Sequence, residues 1–202
     1  MNDEQTFLLK EYDSANELTF AVDELRNKIS TFYGAFVTIT FAGLGLFVKS
    51  GDQQQTASQQ LGASLPILTF TLGVIGLFVV RALGRMRAAQ LEHFRIINNI
   101  REYFLKADAA LWSAVELSRE TLPGRPTRKS GSYMWAAMVI FLSAALLGCA
   151  VFQTLAAWDQ FCTAANYVLS IVAFLLAFAI EDRLYLDAAQ PPPRKIYTKA
   201  PI

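Results

Sequence analysis

Four stretches of this chain contain no Asp, Glu, Lys or Arg: Ile29–Val48, Gln53–Val80, Ser130–Trp158 and Gln160–Ile180. They run for 20, 28, 29 and 21 residues, so 98 of the 202 residues are free of charge and the remainder carry all 35 charged side chains. About 20 apolar residues in a row make a helix long enough to cross a bilayer core. This segregation excludes an ordinary water-soluble domain, in which about 25% of residues are charged. Here the share is 17%, and 53% of the chain is hydrophobic. The expected fold class is all-α: an integral membrane protein with four transmembrane helices, an N-terminal amphipathic helix and a cytoplasmic helical stalk extending from the second span.

Net charge is only +1, but its placement is informative. Lys and Arg beside a membrane stay on the cytoplasmic side. One topology puts 17 of the 18 there: Lys10, Arg26 and Lys28 before the first span, ten from Arg81 to Lys129, and Arg183, Arg194, Lys195 and Lys199 after the last. Only Lys49 falls on the other side. Both termini and the middle segment are therefore expected in the cytoplasm. The residues before the first span are acidic (Asp3, Glu4, Glu11, Asp13, Glu17), unlike the basic opening of a cleavable signal, so that span is expected to act as an uncleaved signal-anchor.

The chain divides into six segments. Residues 1–28 form a cytoplasmic amphipathic arm, with Leu8, Tyr12, Ala15, Leu18, Val22, Leu25 and Ile29 recurring at three- and four-residue steps. No proline or glycine separates this arm from the first span, so the two can form one helix of roughly 44 residues, about 65 Å long. Residues 29–80 form the first transmembrane hairpin, closed by a Gln-rich loop from Ser50 to Ser64. Ser64 is the expected N-cap of the second span, with Pro66 in its first turn. Residues 81–117 continue the helical pattern as a stalk. There Phe94, Ile97, Ile100 and Phe104 are expected to pack against Leu18, Val22 and Leu25 of the arm. Residues 118–132 are a basic Pro/Gly linker, 133–180 a second transmembrane hairpin, and 181–202 a cytoplasmic tail with a short helix at Arg183–Ala189 before three prolines.

Catalytic signatures are absent. There is no phosphate-binding glycine loop and no nucleophile in a recognisable turn, and a single histidine, His93, leaves no metal-ligand spacing. The chain is expected to be no enzyme and to need no cofactor. Cys149 and Cys162 read as free thiols packing as small apolar groups. Carriers keep Asp, Glu, His or Arg within the membrane, and the four windows contain none of these. The spans do carry small and hydroxyl residues at helical spacing: Gly34, Thr38, Ala42 and Gly45 on one face of the first, with Thr40 on another, and Thr69, Gly73 and Gly76 on the second, with Thr71 beside them. Small stripes let helices approach closely in lipid. They either pack one four-helix bundle or pack between subunits around a narrow pore, which needs no charge to gate. The basic middle segment reads as topology signal and anionic-lipid contact, or as a docking site for a soluble cytoplasmic partner on the stalk. Nucleic-acid binding would need a denser cluster than Arg125, Arg128 and Lys129.

Two segments carry a family likeness: Glu17 to Tyr33 (ELTFAVDELRNKISTFY) and Phe94 to Phe104 (FRIINNIREYF). An acidic amphipathic arm, a tight hairpin of two spans and a long cytoplasmic helix together resemble the small SLATT-type membrane effectors of bacterial conflict systems, over roughly the first 115 residues. The plan is also similar to RipA-family oligomeric bacterial membrane proteins. The second hairpin departs from the two-span plan, and no functional residue carries over. The resemblance implies a homo-oligomeric channel-like or membrane-disrupting effector of an anti-phage or abortive-infection system, multi-pass in the bacterial inner membrane. The alternative is a non-conducting scaffold or regulator that docks a soluble partner. The lipid bilayer and further copies of the chain are the expected partners.

Overall fold

The computed structural model describes residues 3–50, 54–107, 128–158 and 163–191. The chain is all-helical there, with α1 at Asp3–Ser50, α2 at Gln54–Ala107, α3 at Gly131–Trp158 and α4 at Thr163–Ala188. Three of the four are long and apolar enough to cross a membrane, at Ser64–Leu105, Gly131–Ala157 and Thr163–Ala188. The first charge-free window occupies the second half of α1 and falls outside that group. Its closing residues, Leu46, Phe47 and Val48, lie outside the described side chains.

Continuity follows from local chemistry. No proline interrupts α1, and the hydroxyls of Thr19, Ser30, Thr38 and Thr40 each donate to the carbonyl four residues back, so none draws the backbone away from helix. Helix α2 begins ten residues earlier than expected, and Pro66 lies inside it rather than in its first turn. Proline there lacks the N–H that would reach back one turn, and the surrounding helix tolerates that single loss. At the start of α3 the Ser130 hydroxyl accepts a hydrogen bond from the Tyr133 backbone N–H (3.3 Å), a helix N-cap. Helix α4 does not end with the apolar window. It runs unbroken through the expected span–tail border at residue 180 and closes where Ala189 N–H donates to the Tyr185 carbonyl, two residues before Pro191.

Helices α2 and α3 form the centre and each packs against all the others, whereas among the described residues the backbones of α1 and α4 do not come into contact. The core comprises Tyr33 and Val37 of α1, Leu72, Val80 and Leu83 of α2, Ala136, Val139, Ile140 and Leu146 of α3, and Tyr185 of α4 with Ala189 just beyond it. Glycines set the spacing. A Cβ on Gly73 would lie 2.7 Å from the Leu147 side chain, and one on Gly84 2.7 Å from the Ala188 Cβ. Helix α4 turns Ile171, Val172, Leu175 and Leu176 outward, as suits a helix with lipid on one side.

Beyond the apolar layer α1 lies along α2, with Ala15 and Thr19 buried on one and Ile97 and Ile100 on the other. Val22, Phe94 and Phe104 are half-buried. Leu18 and Leu25, expected in this contact, are 47% and 48% exposed. The loop side chains of residues 54–63, the remainder of the stalk and most of the linker (108–127), Cys162 and the tail beyond 191 lie outside the described residues or side chains.

Candidate functional site

All four helices contribute a polar group to one point inside the bundle. Glu181 stands on α4 one residue past the last charge-free window, fully buried. A helical side chain leans toward the N-terminus of its helix, which carries this carboxyl back into the apolar length of α4. Its Oε1 lies 2.7 Å from the Ser143 hydroxyl of α3, and that hydroxyl is also 2.9 Å from the Gly73 carbonyl of α2. From α1, the Tyr33 hydroxyl donates to the Leu72 carbonyl (3.0 Å). Gly76 makes the convergence possible, since a Cβ there would meet the Ser143 side chain and the Tyr33 hydroxyl at 2.5 Å. The second carboxyl oxygen, Glu181 Oε2, is buried without a hydrogen-bond partner.

Nearer the other end of the bundle, buried Thr69 lies 3.0 Å from the Gln153 side-chain oxygen. Asn166 is buried with its Oδ1 unpartnered.

A second polar cluster sits where α1 and α2 leave the core. Arg26 and Arg87 are only 5% and 3% exposed, and both donate to the Gln90 side-chain oxygen, at 3.4 and 2.6 Å. Asp23 pairs with Arg26 at 2.7 Å, an ion pair without the alignment of a hydrogen bond. Arg87 also stacks over Phe94, 5.8 Å from the ring centre. Farther along, Arg101 donates to the Tyr12 hydroxyl (3.0 Å) with its guanidinium over the same ring. That hydrogen bond holds the Tyr12 phenol below its ordinary range, against the opposing effect of burial. At the base of α3 and α4, Asp182 pairs with Arg128 and accepts a hydrogen bond from the Tyr133 hydroxyl (2.7 Å).

The small-residue candidates divide by helix. Gly73 and Gly76 are buried in tight helix contacts, and Thr69 is fully buried. On α1, Thr38, Ala42 and Gly45 are exposed, Gly34 and Thr40 are half-buried, and a Cβ added at Gly34 or Gly45 would meet nothing within 4 Å. Thr71 is exposed with its hydroxyl bonded to the Ile67 carbonyl. An apolar groove of about 400 Å³ runs beside α1, lined by Ile29, Phe32, Tyr33, Phe36, Ile75 and Val79.

Sequence reasoning missed Glu181, because counting charges along the chain ignores the reach of a side chain back into the layer. It also missed the burial of Arg26 and Arg87, whose charges read as surface. Among the described residues no group of three or more His, Cys, Asp or Glu is placed to hold a metal. The chain matches no protein-family model, no curated protein and no solved structure.

Proposed function

We propose that this chain is a homo-oligomeric, channel-like or membrane-disrupting effector of the bacterial inner membrane, acting in an anti-phage or abortive-infection system. In this reading α1 supplies a fourth span and both termini are cytoplasmic. The paired lengths of α1 and α2 beyond the apolar layer form the stalk. The observation that carries the proposal is the surface of α1. Its inward face is spent on α2 and α3, while two other faces are left largely exposed among the described residues. One flank is bulky, with Phe7, Leu18, Leu25, Phe32, Phe36 and Ile39 all exposed. The other is small: Gly34, Thr38 and Gly45 lie about 160–200° round from Leu18 at 3.6 residues per turn, with Ala42 at its edge.

Lipid can cover Phe32, Phe36 and Ile39. It cannot cover Leu18 and Leu25, which lie beyond the Arg26–Arg87 cluster in the cytoplasmic part. A neighbouring copy would cover them, and at equal depth its small flank meets the bulky flank of the next, a head-to-tail contact of the kind that closes rings. Thr38, on the edge of the small flank turned away from the subunit's own bundle, then brings a hydroxyl to an uncharged path that can gate by dewetting. Thr40 lies about 160° round from it, on the bundle side.

Recording from planar bilayers with purified protein tests this reading. Current is expected from wild type, and Thr38→Leu should reduce it while insertion and oligomer mass stay unchanged. Silent bilayers together with a monomeric mass in mild detergent would overturn the channel and leave the scaffold, in which the stalk docks a soluble partner.

A further inference from the structure

The charge-free windows argue against ionisable groups inside the spans, yet the junction of the four helices encloses one. Around Glu181 stand Tyr33 from α1, the Leu72 and Gly73 carbonyls from α2, Ser143 from α3, and Asp182 and Tyr185 from its own helix. Asp182 is already taken by Arg128 and Tyr133. Arg87 of α2 is bound to Gln90, and among the described residues no cation pairs with Glu181. Burying an unpaired carboxylate costs far more than burying the neutral acid.

The proton count points the same way. Ser143 has one hydroxyl hydrogen and lies within hydrogen-bond distance of two acceptors, the Gly73 carbonyl and Glu181 Oε1. If Glu181 is ionised, one of the two contacts lacks a proton. With a proton on the carboxyl, both become hydrogen bonds, and the lone Oε2 is a neutral carbonyl rather than an unpaired charge. Nor is a metal cation provided for, since among the described residues no group of three or more His, Cys, Asp or Glu is placed to hold one.

We propose that the four-helix junction is a proton-binding site, in which Glu181 carries the proton and donates it to Ser143, and Ser143 donates its own to the Gly73 carbonyl. On release the proton leaves Oε1 for water and the Ser143 hydroxyl turns from Gly73 to the carboxylate. The freed charge draws water into the junction and loosens α4 from α2 and α3. The proposal stands whether or not the protein conducts.

The experiment is infrared spectroscopy of the full chain in lipid nanodiscs at neutral pH. Wild type should show the C=O band of a protonated carboxyl, absent in Glu181→Gln and displaced in Ser143→Ala, where the acid loses its acceptor. The midpoint of thermal unfolding should fall as pH rises, because the native state holds a proton that the unfolded chain releases. Glu181→Gln should remove that fall. If Glu181→Gln does not insert, the wild-type band and its displacement in Ser143→Ala decide the matter alone. Absence of a protonated-carboxyl band in wild type, or loss of only a carboxylate band on Glu181→Gln, overturns the site.

Discussion

Single atoms decide how closely these helices approach. A Cβ on Gly76 falls at 2.5 Å from Ser143 and Tyr33, both held in place by hydrogen bonds, so neither can yield cheaply. Gly76→Ala is expected to cost about 1–3 kcal/mol, the usual range for overpacking, and to lower the unfolding midpoint in detergent. Gly43→Ala enters open space within α1 and should leave the midpoint unchanged or raise it slightly, as alanine favours helix over glycine. Equal behaviour of the two would mean that the junction is looser than described. Sequence reasoning placed Gly73 and Gly76 on a packing stripe, because small residues at helical spacing are a local pattern. Which stripe is used inside the subunit was not legible. Gly34–Gly45 and Gly73–Gly76 look alike in sequence, and only the positions of the neighbouring helices distinguish them.

At the scale of the helix, the apolar windows were readable because lipid selects against charge in a continuous run. The extension of α2 past Arg81 was readable from periodicity. The arm's contact face was read less well, and the reason is geometric. The stripe through Leu8, Tyr12, Ala15, Leu18, Val22 and Leu25 repeats every seven residues, whereas a straight helix drifts about 20° per heptad from that repeat. The face that touches α2 and α3 therefore moves to Thr19, Arg26, Ser30, Tyr33 and Val37, and Leu18 and Leu25 rotate outward. This separates two substitutions that the sequence treats alike. Ile97→Asp puts a charge at a side chain 2% exposed and should cost upward of about 2 kcal/mol, with the arm becoming sensitive to protease. Leu18→Asp should leave the subunit folded and reduce oligomer mass. Loss of folding in Leu18→Asp would place that residue inside the subunit after all.

For the whole molecule, the arrangement of charge predicts orientation. A reporter active only in the periplasm should give signal when fused after Gln55 and none after Gly124. The reverse pattern would overturn the cytoplasmic placement of the stalk and of both termini. If the placement is right, α1 acquires a mechanical meaning. It has no proline and no glycine before Gly34, and among its described side chains none is buried beyond Val37. Such a helix is a stiff shaft, and because α2 is packed along it the two would swing together about the junction near Tyr33. The thirty residues on its cytoplasmic side span about 45 Å, so a tilt of about 10° moves the far end by about 8 Å. A stiff shaft works equally well in the other direction. Whatever displaces the segment around Tyr12 arrives, undissipated by any hinge, as torque on the Tyr33 hydroxyl and on the glycine it rests against.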